Sequence, residues 1–461
     1  MLKKFIFLIA IPICLGAAMR NIGLNAQQTL SVMIFSFSIL GTLLFWSFRL
    51  TFVFIGTAVL LIAQVADVDN IIKASSLEVI LFLVGMMVLV GLLKDTGFFA
   101  WLVSLILRVK HMTANKFLVL ISVVSALSAC AIDEVTSIIF VVAAIFEICD
   151  YFDVDPTPFL IISVLATNIG SAGTALGNPI GILIASKSGL TFEDFLIKAF
   201  PVMLICLVAA ILIVKRWYRH ALAQLDKKMK HLGDNEMLVH LISVPPDKQL
   251  KVSLAIFAMT LVFIALHHRL EVLLALKPNT LLLTIPLIAS GGVMAWKWQR
   301  ARDYIEKHVE WYTLLFFLLI FAQAGTLHYT GATEVLAKRL IGLTGDSVVV
   351  LTGAVLWIST IGSSVLDNVV LVAAFIPIIQ SFKASLGANM QPLWWALLFG
   401  GCLGGNITMV GSTANIVALG ILEKERNVKM HFFHWFWVGL TVGLVTTLIA
   451  WAALIILPIY H

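Results

Sequence analysis

The sequence predicts an all-α polytopic membrane protein. It is built of two inverted-topology repeats, each with a re-entrant hairpin and a broken transmembrane helix. Three observations predict this. Of 461 residues, 61% are hydrophobic and only 12% charged, about half the charged share of a soluble domain. Chemically distinctive residues recur at one fixed spacing of 234 positions. Long apolar runs are interrupted by acids, asparagines and glycines at corresponding places in the two halves.

Residues 1–47 supply N-terminal transmembrane segments. The basic start MLKKFIFLIAIPICLGAAM reads either as a signal peptide or as a first helix entering from the cytoplasm. The first repeat spans 48–214. The linker 215–250 carries Lys215, Arg216, Arg219, Lys227, Lys228 and Lys230, and the positive-inside rule places it in the cytoplasm. The second repeat spans 251–461, and Lys297, Arg300, Arg302 and Lys307 mark another cytoplasmic loop. Arg108, Lys110 and Lys116 put the start of the run 117–149 inside, whereas the acid-bearing loop 186–198 lies outside. If 158–185 crosses once, 117–149 crosses an even number of times. Its 33 residues are too few for two full spans, which need about 40. A hairpin of two half-helices over 117–149 satisfies the count, with its tip at Asp133 and Glu134. One long tilted helix is the alternative, and it would leave the basic linker outside.

The first tip lies in LSACAIDEVTSIIF (127–140) and its counterpart in IGSSVLDNVVLVAAF (361–375). A shift of 234 carries Asp133 onto Asp367, Pro158 onto Pro392, Gly170 onto Gly404, Thr174 onto Thr408 and Gly177 onto Gly411. Leu and Val match by chance in an apolar alphabet; Asp, Pro, Thr and Gly do so far less. The second hairpin is placed at 347–381. The regions preceding the two hairpins start on opposite sides by their basic charge. The halves are therefore inverted, as in many secondary transporters. The broken helices are placed at 158–185 and 393–421, around ATNIGSAGTALGNPIG (166–181) and GGCLGGNITMVGSTAN (400–415).

A charge at the bilayer centre costs at least about 2.5–3.5 kcal/mol, so the acids need a purpose. Asp133, Glu134 and Asp367 are candidate ligands for a sodium ion or a proton at the midplane. Asn368 occupies the place that matches Glu134. Two neighbouring carboxylates do not both ionise cheaply, which makes Glu134 the candidate proton-sensitive member. Unwound helix exposes carbonyls to cations and helix N-termini to anions. Asn168, Thr174, Asn178, Asn406, Thr408, Ser412, Thr413 and Asn415 could add ligands. Gly170, Gly173, Gly177, Gly404, Gly405 and Gly411 would give the breaks backbone freedom. The plainer alternatives are that each Asp caps the second arm of its hairpin and that the small polar residues pack helices together.

The remaining features read as structural. The five cysteines lack paired spacing, which disfavours a disulfide framework or a transition-metal site. Trp394, Trp395, Trp435 and Trp437 lie near span ends and read as interfacial belts. Lys94 and Asp95 read as interfacial anchors, and Asp150, Asp153 and Asp155 as a solvated loop. No Walker loop or HExxH occurs, so neither an ATPase nor a zinc protease is indicated. The chain reads as a transporter without cofactor, not as an enzyme. Its net charge of +6 resides in loops and does not point to nucleic acid.

At LDNVVLVAA (366–374), NIGSAGTALGNPIG (168–181) and GGNITMVGSTAN (404–415) the chain resembles the ion transporter superfamily. That group includes NhaD-type sodium/proton antiporters, ArsB-type arsenite pumps, the melanosomal P protein and divalent anion/sodium symporters. The resemblance covers about 77–214 and 311–458. It implies a homodimer, scaffold and transport parts in each protomer, and an elevator-like cycle, while the compact loops suggest a bacterial cell inner membrane. The second tip looks most like the antiporters and the P protein. The carboxylate symporters have Ser-Asn-Thr at their tips, so the acids here argue against a dicarboxylate. The first tip departs from the common Asp-Asn at Glu134, and Asn178-Pro179 stands where many members have Asp-Pro. Sodium/proton antiport is the leading expectation. Arsenite efflux or sodium-coupled anion uptake is the alternative.

Overall fold

The computed structural model describes residues 2–107, 109, 112–232, 247–344, 347–386 and 390–460. Arg108, Lys110 and the later part of the linker lie outside the described residues. Helices α1 (Leu2–Asn21) and α2 (Ala26–Leu44) pack on each other. At the start of α2, Asn25 and Gln28 cap each other's backbone N–H groups. Then come α3 (Arg49–Ile62), α4 (Val68–Ala74), α5 (Leu77–Asp95) and α6 (Phe98–Leu107). A helical hairpin follows, α7 (Ala114–Ala131) and α8 (Glu134–Tyr151), then α9 (Thr157–Ser171) and α10 (Pro179–Ser188). Helix α11 (Phe192–Trp217) leads to α12 (Arg219–Leu232), which makes the first part of the linker helical.

The second half contains α13 (Lys248–Ala265), α14 (His267–Leu273), α15 (Thr280–Trp296) and α16 (Ala301–Lys307). The chain bends by 104° between α15 and the segment that ends in α16. Helix α17 (Trp311–Tyr329) precedes α18 (Ala332–Thr344) and a second hairpin, α19 (Val348–Ser363) and α20 (Asn368–Leu386). The chain ends with α21 (Gln391–Gly404), α22 (Thr413–Arg426) and α23 (Phe432–Ile456). Among the described residues eight helices are long and apolar enough to cross a membrane. The protein is an all-helical, multi-pass membrane protein.

Helix α7 lies against α9, and α19 lies against α21 in the same way. Of the candidate ligands, Asn168 lies in α9; Thr174, Asn406 and Thr408 lie just beyond the ends of α9 and α21, and the others lie at the starts of α8, α10, α20 and α22. The hairpin arms are longer than half-helices. α7 and α8 have 18 residues each, about 27 Å at 1.5 Å per residue. Helix continues past the apolar run at both ends, starting where the Thr113 hydroxyl caps α7 by accepting from Lys116 N.

The tryptophans depart from an interfacial belt. Trp394, Trp395 and Trp435 are 6%, 0% and 1% exposed; Trp437 is the exposed one. Position along a helix sets depth in the bilayer but not which neighbour faces the ring. Trp395 packs edge-on against Phe195 and Tyr460, and Trp435 points into the protein. Asp95 pairs with Arg300 at 3.1 Å and with His308 at 3.4 Å. Asp150 is exposed and pairs with Arg426 at 2.5 Å.

Candidate functional site

Each hairpin turns at an aspartate. Asp133 has extended backbone, and its Oδ1 accepts from the N–H groups of Val135 (2.9 Å) and Thr136 (2.8 Å). Asp367 Oδ1 accepts from Val369 N at 3.0 Å and Val370 N at 3.4 Å. Both acids therefore cap the second arm of their hairpin. Capping occupies one oxygen only. The other oxygen of Asp367 accepts from the Thr413 hydroxyl at 2.8 Å.

Glu134 begins α8 and faces the second hairpin. Its Oε1 accepts from Asn368 Nδ2 at 3.4 Å. The residue is 3% exposed, and its Oε2 has no hydrogen-bond partner among the described residues.

The interrupted segments are 172–178, between α9 and α10, and 405–412, between α21 and α22. Asn178 caps α10 by accepting from Gly181 N at 3.0 Å, and Ser412 caps α22 by accepting from Ala414 N at 3.1 Å. Thr174 donates to the Cys130 carbonyl at 2.5 Å and accepts from Leu176 N at 3.2 Å. Thr408 donates to the Ser364 carbonyl and accepts from Val410 N at 3.2 Å. Both Thr408 contacts lie 234 positions after the Thr174 contacts they match. Each interruption is thus stitched to its own hairpin tip.

The glycines serve close approach. None of the six candidate glycines has positive φ, so the freedom expected of them is not what the backbone uses. A Cβ on Gly170 would stand 2.2 Å from the Ala126 carbonyl oxygen, and one on Gly404 2.3 Å from that of Thr360. At Gly177 and Gly411 it would lie 2.6 Å from the Ser171 oxygen and 2.7 Å from the Ser363 oxygen. Gly173 and Gly405 are less crowded, with nearest atoms at 2.9 Å and 3.1 Å.

Three asparagines join the two halves. Asn168 Nδ2 donates to Asn406 Oδ1 and to Asn415 Oδ1, both at 2.9 Å. Asn415 Nδ2 donates to the carbonyls of Gly405 (2.7 Å) and Thr408 (2.8 Å). Asn168 Oδ1 and Asn406 Nδ2 are buried without partners among the described residues. Asn178 Nδ2 donates to Ser171 Oγ and Cys402 Sγ.

Asp133, Glu134 and Asp367 do not close into one metal-sized cluster. Among the described residues no three His, Cys, Asp or Glu side chains could hold a metal ion. Asp367 instead lines a narrow cavity of about 10 Å³ with Thr42, Trp46 and Val410. Residues beyond the sequence-based set also reach the site. Trp435 Nε1 donates to the Asn406 carbonyl at 3.1 Å, and nothing in its sequence position signalled this. Cys402 lies within the glycine motif and was there to be read.

Residues 48–400 match the profile of the family described as CitMHS, citrate transporter. The chain belongs to the CitMHS family. An uncharacterized transporter of Mycobacterium tuberculosis is 33% identical over 352 residues, covering 76% of this chain and 79% of the relative. The human P protein is 24% identical over 468 residues, covering 87% of this chain and 56% of its own length. The crystal structure of the YdaH transporter of Alcanivorax borkumensis shares the fold. Its TM-score is 0.55 at 13% identity, over 84% of this chain and 86% of that one. This CitMHS member is a secondary transporter and not an enzyme.

Proposed function

We propose that the transporter exchanges a monovalent cation, sodium foremost, for protons, with Glu134 as the proton carrier. One observation carries this reading: Glu134 is buried, one of its oxygens has no partner, and no cation pairs with it among the described residues. A buried carboxylate without a cationic partner is costly. It is relieved by a proton or by a small cation, which is the alternation an antiporter needs. The cavity at Asp367 measures about 10 Å³, room for a water-sized body and not for a multi-carbon anion. Asn168 Oδ1, without a partner among the described residues, the Thr413 hydroxyl and backbone carbonyls of the interruptions could complete an oxygen shell.

The finer architecture belongs to the same proposal. The two halves are inverted repeats, their hairpins enter from opposite faces, and α9–α10 and α21–α22 are broken transmembrane helices. The contacts of Thr174 and Thr408 favour an elevator-like cycle, because they make each tip and interruption one body. The NhaD-like tips favour a homodimer, the compact loops a cell inner membrane, and the basic residues of the linker its cytoplasmic side.

A second reading is favoured by the family description and by one cavity. A space of about 290 Å³ between α4, α10, α17 and α20 is lined by Lys73, His328 and Gln380, close to the size of small-ligand pockets. An organic anion such as citrate would fit its charge. The deciding experiment is proton flux in proteoliposomes with an imposed pH gradient, adding sodium, lithium, potassium or citrate in turn. Gradient collapse by sodium or lithium in the wild type, lost in Glu134→Gln, supports exchange. Movement with citrate alone replaces it with the second reading.

A further inference from the structure

Arg49 opens α3 directly after the turn Trp46–Phe48. It is 6% exposed. Its guanidinium carbon lies 4.0 Å over the Trp46 ring and 5.0 Å from the centre of the Phe316 ring. An arginine has five N–H donors. Here Nη2 makes one long contact to Thr313 Oγ1 at 3.4 Å, and Nε has no partner among the described residues. Among those residues no carboxylate lies within ion-pairing distance of it. The acid whose charge acts on it most strongly is Asp367, ahead of Glu310. Trp46, on which the guanidinium rests, lines the same narrow cavity as Asp367.

We propose that Arg49 is the resident counter-cation of the Asp367 site, held off it by the Trp46 and Phe316 rings. This rests on the cation reading above. Guanidinium does not lose its proton in a protein, so its charge stays behind the Trp46 wall of the cavity throughout the cycle. It compensates Asp367 when no ion is bound and repels a cation that enters beside the carboxylate. Arg49 therefore sets how tightly the site holds its cation without touching it. Ring stacking keeps the guanidinium from collapsing onto Asp367, which would close the cavity.

The test is thermal unfolding of the full-length transporter in detergent, titrated with sodium at constant ionic strength. The variants are Arg49→Gln, Arg49→Lys, Asp367→Asn and the double variant Arg49→Gln with Asp367→Asn. Each neutral single variant is expected to unfold at a lower temperature, and the double variant at a higher one than the two losses added together. Sodium is expected to stabilise Arg49→Gln with a half-effect at about tenfold lower concentration than the wild type, the size of one partly screened charge. Arg49→Lys keeps the charge and should keep the wild-type half-effect; a merely structural role would make it resemble Arg49→Gln. Additive losses overturn the pairing. Equal sodium half-effects in wild type and Arg49→Gln overturn the counter-cation role and leave the cation reading standing. Coupled losses with no sodium effect in any protein leave the pair standing and remove the cation reading.

Discussion

Glu134 accepts a hydrogen bond from Asn368, and the two residues occupy equivalent positions 234 apart in the two halves. The hairpin tips therefore meet through their own counterparts, an acid on one side and an amide on the other. That asymmetry leaves one carboxylate where a symmetric pair would place two repelling charges. Glu134→Gln preserves shape and can still meet Asn368, so its unfolding temperature should stay near that of the wild type while proton-coupled flux disappears. Full proton-coupled transport by this variant would remove Glu134 as the carrier. Asn368→Asp sets two acids face to face. It should lower the unfolding temperature, and added sodium should restore part of the loss.

The two aspartates are both helix caps and candidate ligands, and substitution can separate these roles. Asparagine caps a helix about as well as aspartate, whereas alanine costs about 0.5–2 kcal/mol. Asp133→Asn and Asp367→Asn should keep their hairpins intact, with a shift in stability well below that of the alanine variants. If charge carries function, transport falls in the asparagine variants as far as in the alanine ones. Retained transport in Asp→Asn, with loss only in Asp→Ala, would mean that the caps alone matter.

The legibility of this chain follows chemical distinctiveness. Asp, Asn, Thr and Gly inside apolar runs mark the hairpin tips and the interruptions, and there the structure brings Asn168 into contact with both Asn406 and Asn415. Arg49 was not legible. A single arginine between two apolar runs reads as a loop anchor, and only packing places aromatic rings around it. Trp435 was misplaced for a related reason: sequence gives depth along a helix but not the face that a neighbour covers. The glycines are required by close backbone approach and not by positive φ. Close approach and positive φ both favour glycine, and one sequence does not distinguish them.

Close approach makes a symmetric prediction. Gly170→Ala and Gly404→Ala each drive a methyl group into a backbone carbonyl, at 2.2 Å and 2.3 Å. Backbone atoms cannot rotate away, so α7 must separate from α9, or α19 from α21. Overpacking of this kind costs about 1–3 kcal/mol or more. Both variants should show reduced yield of monodisperse protein by size-exclusion chromatography and lower unfolding temperatures. Gly420→Ala, with open space around it, is the control and should be unaffected. Tolerance of alanine at both crowded positions would mean that neither helix pair depends on this close approach.

Trp435 connects α23 to the second interruption. Its indole N–H donates to the Asn406 carbonyl, and Gly439, one turn on, admits that same oxygen at 2.3 Å from where a Cβ would stand. Helix α23 therefore grips segment 405–412 by one polar and one steric contact. Trp435→Phe keeps most of the ring volume and removes the donor, leaving a buried carbonyl short of a partner at a cost of about 1–3 kcal/mol. The expected result is a lower unfolding temperature together with faster amide exchange in 405–412, while exchange in 172–178 stays the same. The difference between the two segments is what matters, because it separates a local grip on Asn406 from general loosening of the protein. Equal acceleration in both would assign Trp435 to packing alone.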